Sequence, residues 1–146
     1  MAFIKKISFA SVGKREGCTC DKCGQYIFNI WTVDYQDGVR MNFGIDCFEK
    51  LSKGKLNDYG MKLMKKAMKS IQHYQEMLEA EKALTEETDE RYQMTQIHHE
   101  WQSDDDYWMG HPWEEYHKWM IEEWYPARFA EAQKQIDRFK KVNFNR

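Results

Sequence analysis

Proline and glycine are scarce in this chain, 2 and 8 among 146 residues, which excludes collagen-like and low-complexity architectures. Long apolar runs are missing too. No stretch approaches the roughly 18 residues that a membrane-spanning helix needs, and Met1-Ala2-Phe3-Ile4-Lys5-Lys6 lacks the apolar core of a secretion signal. A soluble, cytoplasmic protein is the expectation. Cysteine is limited to 4 residues, and in a reducing compartment these read as metal ligands or core thiols rather than disulfides. Catalytic signatures are also lacking: there is no Gly-x4-Gly-Lys-Ser/Thr loop, no His-Glu-x2-His pair and no Gly-x-Ser-x-Gly elbow. Glu114-x2-His117 supplies only half of the paired motif that di-iron helix bundles use. A protein without catalytic activity is expected.

What is present is a chain 42% hydrophobic and 15% aromatic, enough to build a core at this length. Its formal net charge of -2 conceals an uneven distribution. Residues 1–75 hold 13 basic and 7 acidic side chains, residues 76–125 hold 3 and 15, and residues 126–146 hold 6 and 2. Fields of that kind steer some partners and repel others.

The first 54 residues carry the clearest chemistry. Phe3, Ile4, Ile7, Phe9 and Val12 alternate in part, as in a short strand, before the basic loop Gly13-Lys14-Arg15-Glu16-Gly17. In Cys18-Thr19-Cys20-Asp21-Lys22-Cys23-Gly24, the Cys-x2-Cys turn closed by glycine lets two thiolates converge on one ion. A β-hairpin is expected next, with the stretch Gln25 to Asp34, which contains Tyr26 to Val33, as one strand, Gln36-Asp37-Gly38 as the turn and Val39 to Phe43 as the return. Gly44 to Leu51 then begins a helical pattern, which places Cys47 at a helix start where amide groups favour a thiolate.

Knuckle, hairpin and helix over residues 18–51 resemble a treble-clef zinc finger. The resemblance implies a structural zinc ion, Zn2+, whose ligands lie on the knuckle and on the first turn of the helix. In the usual pattern that helix supplies two ligands, whereas here Lys50 stands where a second cysteine often sits. Tetrahedral zinc needs four ligands, so Cys18, Cys20, Cys23 and Cys47 form one candidate set. In the alternative set one of His73, His98, His99, His111 or His117 replaces Cys18, and a metal-free cluster of reduced thiols is the plain reading.

From Asn57 or Asp58 onward the pattern is helical. Met61, Met64, Met68, Ile71, Gln75 and Leu78 recur at three- and four-residue steps. Thr85 to Asp89 offers a cap for a second helix, His111-Pro112-Trp113 opens a third, and Pro126 is expected to stop or kink it before a last helix through Phe129, Ala132 and Ile136. The fold class expected is α+β, a zinc-bound β-hairpin head over 1–54 with a mainly helical body over 55–146 packed on it.

Two functions fit this pattern. In the first, aromatic and acidic residues of the body dock on a basic protein, with Asp104, Asp105, Asp106, Trp108, Trp113, Glu114 and Glu115 as the docking surface. Small chains combining a minimal zinc clef with an acidic helical body resemble phage-encoded accessory proteins, among them anti-CRISPR inhibitors of RNA-guided nucleases. That resemblance implies inhibition by occlusion, with nucleic-acid loading blocked in the host cytoplasm. In the second, the head binds nucleic acid, with Lys5, Lys6, Lys14, Arg15, Lys22 and the early helix lysines on phosphates and Trp31 or Tyr26 stacking on a base.

Overall fold

The computed structural model describes residues 3–97 and 112–138 and is α+β, with small antiparallel sheets near the N-terminus and helices after them. Five strands come first: β1 (Ile4–Ser11), β2 (Cys18–Thr19), β3 (Tyr26–Ile27), β4 (Asn29–Tyr35) and β5 (Arg40–Phe43). Among the described residues five α-helices follow: α1 (Ile45–Ser52), α2 (Asp58–Ala83), α3 (Glu90–Ile97), α4 (Trp113–Trp119) and α5 (Tyr125–Asp137). By their contacts the residues form two compact units, 1–75 together with 129–146, and 76–128.

In the first unit β4 is the central strand of a three-stranded sheet, order β1-β4-β5, while β2 and β3 pair separately. The partial alternation of β1 has a structural cause. Ile4 opposes Tyr35 but Lys6 opposes Asp34, a bulge that adds one residue and lets Ile4, Ile7 and Phe9 all be buried. On β4 the alternation is regular, and Trp31, Val33 and Tyr35 are buried. The core continues through Phe43 and Phe48, the α2 residues Met64, Ala67, Met68 and Ile71, and Ala132 and Ile136 of α5. Trp31 lies at its centre, its ring stacked on Phe48 at 4.2 Å and 9° and tilted against Phe9 at 4.9 Å. Base stacking by Trp31 is therefore overturned, because the ring is only 2% exposed. The edge strand β1 is covered at one point by α5, where Gln133 Nε2 donates to the Ile7 carbonyl at 2.7 Å.

In the second unit Leu78, Tyr92, Tyr116, Met120 and Tyr125 are buried together with two carboxylates, Glu81 and Asp89. Asp89 caps α3, accepting the Tyr92 N–H at 3.1 Å on one oxygen and the Trp113 indole N–H at 3.0 Å on the other. Pro126 does not end the helix. Residues Met120–Trp124 form one π turn between α4 and α5, and the Tyr125 N–H reaches back five residues to the Met120 carbonyl. A wider turn just before a proline accommodates a ring that clashes with, and cannot donate to, the ordinary i−4 carbonyl.

Glu81 is the strained member of this unit. Its Oε1 lies 3.5 Å from His117 Nδ1, too long for a good hydrogen bond, and neither atom has another hydrogen-bond partner among the described residues. Burial first, and then the charge of Asp89, push the Glu81 carboxyl above its ordinary range, with His117 opposing. A carboxyl raised in the folded state makes its full stabilising contribution below the unfolded value of about 4.3 and loses it as pH rises through the raised value. Glu81→Gln should therefore melt at or above the wild-type temperature at pH 7. The gap should close as pH is lowered toward the ordinary glutamate range, as followed by thermal unfolding across pH.

Candidate metal centre and charged surfaces

β2 and β3 are too short to hold themselves together and are completed by the turn between them. Cys18 opposes Ile27 and Thr19 opposes Tyr26. The turn closes on Cys20, whose N–H donates to the Gln25 carbonyl at 2.8 Å and whose carbonyl accepts from the Gly24 N–H at 2.9 Å. Gly24 takes φ +76°, a left-handed conformation that glycine adopts without steric cost. Asp21 binds the turn to β5: its N–H donates to the Asn42 carbonyl at 2.8 Å, and its carboxylate accepts the Asn42 N–H at 2.6 Å. Behind the turn the Gly17 backbone runs so close to β3 that a Cβ there would stand 1.9 Å from the Ile27 carbonyl oxygen. The basic loop is tied down as well, since the Gly17 N–H donates to Tyr26 Oη, which donates to the Lys14 carbonyl, both at 2.8 Å.

β5 leads through Gly44 into α1, and Cys47 faces the turn from the first helical turn. The sulfurs of Cys20, Cys23 and Cys47 all lie within 4.8 Å of one another. A zinc ion with bonds of about 2.3 Å holds tetrahedral sulfurs roughly 3.8 Å apart, a separation within that bound, so the three sulfurs can take three corners of such a site. Cys20 is buried, Cys47 half-buried and Cys23 exposed. Burial pushes the Cys20 thiol up, but the N–H groups of Cys23, Gly44 and Lys22 outweigh it and bring it down to about 7. The Gly44 N–H stands 3.5 Å from Cys20 Sγ. Cys47 is pushed up to about 11 by burial first, then by its hydrogen bonds to Cys23 and Cys20. A sulfur that accepts backbone N–H bonds beside two further thiols is suited to a soft or borderline cation.

Cys18 stands outside the group of three. It is half-buried on β2, its thiol raised by burial and then by the charges of Asp21 and Cys20. Neither His73, exposed on α2, nor His117 joins the cluster, and His98, His99 and His111 lie outside the described residues.

The expected docking residues are divided. Asp104, Asp105, Asp106 and Trp108 lie outside the described residues, whereas Glu114 and Glu115 are exposed in the first turn of α4. Trp113 is half-buried, hydrogen-bonded to Asp89 and stacked on His117 at 4.3 Å. Two buried residues behind Trp113 and His117 have no clear signal in the sequence, Asp89 as the acceptor for that indole and Glu81 beside His117. The spacing of Thr85 to Asp89 before a helix is the only signal for the former. Of the basic candidates, Lys5, Lys6, Lys14, Arg15 and Lys22 are all exposed, and Tyr26 is 54% exposed.

Charge follows the structural division. The unit holding the cysteines carries 18 basic and 9 acidic side chains, net +9, and the unit 76–128 carries 4 and 15, net -11. The chain matches no protein-family model, no curated protein and no solved structure.

If the cluster binds a divalent metal, Cys20→Ser, Cys23→Ser and Cys47→Ser should each abolish its stoichiometric retention in the purified protein, measured by elemental analysis. Cys18→Ser should weaken metal retention against a chelator without abolishing it, because Cys18 stands outside the cluster and the three clustered sulfurs remain. Gly17→Ala should lower the melting temperature of the protein by several degrees, since two backbone segments must separate to admit the methyl group.

Proposed function

We propose that the protein is a zinc-stapled binding protein without catalytic activity, whose acidic helical unit occupies a basic surface of a partner protein. Cys20, Cys23 and Cys47 hold the ion in this reading, with Cys18 as the fourth sulfur. A shell of four sulfurs leaves no coordination position for a substrate, so the ion serves folding. Structural zinc of this kind contributes roughly 10 to 16 kcal/mol in small fingers, comparable to the whole net stability of an ordinary domain, about 5 to 15 kcal/mol.

The observation that carries the docking half is the sign and placement of charge in residues 76–128. Glu76, Glu79, Glu86, Glu87, Glu90, Glu114, Glu115, Glu122 and Glu123 are all exposed there. A surface of that sign is attracted to channels that receive nucleic acid, and the positively charged groove of an RNA-guided nuclease is one such channel. Occupation of the groove excludes guide or target strands by competition for the same lysines and arginines. The role is that of an anti-CRISPR inhibitor, with the exposed acids as the contact.

The test pairs binding with function. The purified chain should bind an RNA-guided nuclease lacking its guide, with affinity falling as salt is raised, and should block guide loading in a gel assay. Glu114→Lys with Glu115→Lys and lysines at Asp104 to Asp106 should weaken both at least tenfold. Charge-reversed protein that binds and blocks as the wild type does, or wild-type protein that leaves loading intact, would refute the assignment.

A further inference from the structure

The acidic unit accounts for one face of the charge distribution and leaves the other without a task. Residues 50–69 contain seven lysines, Lys50, Lys53, Lys55, Lys62, Lys65, Lys66 and Lys69, and a single acidic residue, Asp58. All seven are exposed. The segment runs from the last turn of α1, through a bend in which Gly54 takes φ +80°, into the first three turns of α2. The two helices enclose an open cleft of about 750 Å³ with Leu56 and Met61 among its lining residues. Lys50 and Lys53 line it from the α1 side, Lys62 and Lys65 from the α2 side.

Three acids share the cleft, and their weight decides whether its field is positive. Glu49 is already matched, its carboxylate 2.8 Å from Lys65 Nζ. Asp46 and Asp58 stand in the first turns of α1 and α2, where the helix dipole offsets part of their charge. Lys50, Lys53 and Lys62 have no ion pair among the described residues. The uncommitted charge of the cleft is therefore cationic, and Lys55, Lys66 and Lys69 extend it along the chain.

One exposed aromatic ring stands next to the cleft in the chain, outside its lining. Tyr59 follows the cleft residue Asp58 and is 70% exposed, which no packing requirement explains. On a helix, positions three and seven residues later fall on the same stripe, so Tyr59 is aligned with Lys62 and Lys66. Lysines that track a phosphate backbone beside an exposed ring that receives a base are the two components of single-strand recognition. A duplex presents phosphates but keeps its bases stacked, and so engages only the first component.

We propose that the cleft between α1 and α2 is a binding site for single-stranded nucleic acid, with Lys50, Lys53 and Lys62 on its phosphates and Tyr59 stacked on a base. The site is independent of docking by the acidic unit, and its test does not involve a protein partner.

The test uses the full-length zinc-loaded chain and fluorescence anisotropy with labelled twelve-nucleotide oligo(dT) and oligo(U), a duplex of the same length and inorganic polyphosphate as a competitor. Single strands should bind more tightly than the duplex, with affinity falling steeply as salt rises. Replacing Lys50, Lys53 and Lys62 by Gln should flatten the logarithmic salt dependence by about 2, near 0.7 for each phosphate that is no longer neutralised. Tyr59→Ala should weaken single-strand binding about tenfold and leave polyphosphate binding unchanged, while Tyr59→Phe retains wild-type affinity. All four positions are exposed, so the melting temperature serves as a control for folding. Absence of salt-sensitive oligonucleotide binding, equal affinity for duplex and single strand, or a Tyr59→Ala variant that binds like the wild type would overturn the site. Preferential binding to vesicles of phosphatidylcholine and phosphatidylserine would overturn it in favour of a membrane surface.

Discussion

The first structural unit depends on the meeting of a tight turn with the first turn of a helix. Cys20 and Cys23 come from the turn, Cys47 comes from α1, and the Gly44 N–H directed at the Cys20 sulfur joins the two. This contact settles more than ligand geometry. Phe48 is the next residue after Cys47, and once the thiol faces the turn the helical rotation of about 100° per residue directs Phe48 toward the sheet. There its ring stacks on Trp31, which in turn packs on Phe9. Burying one such ring stabilises by roughly 1.5 to 3 kcal/mol, so the orientation that the thiol cluster gives to α1 also sets how much the aromatic core contributes.

The second unit solves a different problem. Three tyrosines, Tyr92, Tyr116 and Tyr125, are buried in its interior and Trp113 is half-buried, and each brings a polar tip that needs a partner. Asp89 shows how one carboxylate meets several such demands, since it caps α3 and accepts the Trp113 indole across 24 residues of chain. Glu81 and His117 show the opposite case, a buried pair held just beyond good hydrogen-bonding distance. Polar groups of this kind contribute little net stability and mainly penalise alternative packings in which they would be left without partners.

Elements with a long, regular pattern are legible in the sequence. The methionine steps mark α2, and the turn residues Gln36 to Gly38 mark the β4–β5 hairpin, where Gly38 takes φ +87°. Shorter features are not. β2 and β3 have two residues each, too few to show any period, and the run from Tyr26 to Val33 is broken at Phe28 into two strands that belong to different sheets. Base stacking by Trp31 is the wrong expectation because the residue shares its parity with Val33 and Tyr35, and strand parity alone places all three on the buried face. At the metal centre, spacing identifies the thiols of the turn and the distant Cys47. It carries no information on whether Cys18, one residue outside the turn, directs its sulfur to the same point. Pro126 reads as a stop because the π turn that accommodates it has no sequence signature of its own.

Charge segregation then limits what each unit can bind. At physiological ionic strength the field of an exposed charge decays over about 8 Å, so a ligand responds to the few residues nearest it and not to the formal total of -2. A polyanion that approaches residues 50–69 meets a run of exposed lysines, and the same polyanion is repelled by the glutamates of α4. Basic proteins experience the reverse. Mixing the same charges evenly along the chain would leave net charge and solubility unchanged while removing both fields. Neither fold nor stability requires the separation, because nearly all of these side chains are exposed and surface pairs contribute little to stability. Its effect is therefore on the local field, which is opposite in sign at the two units for any charged molecule that approaches.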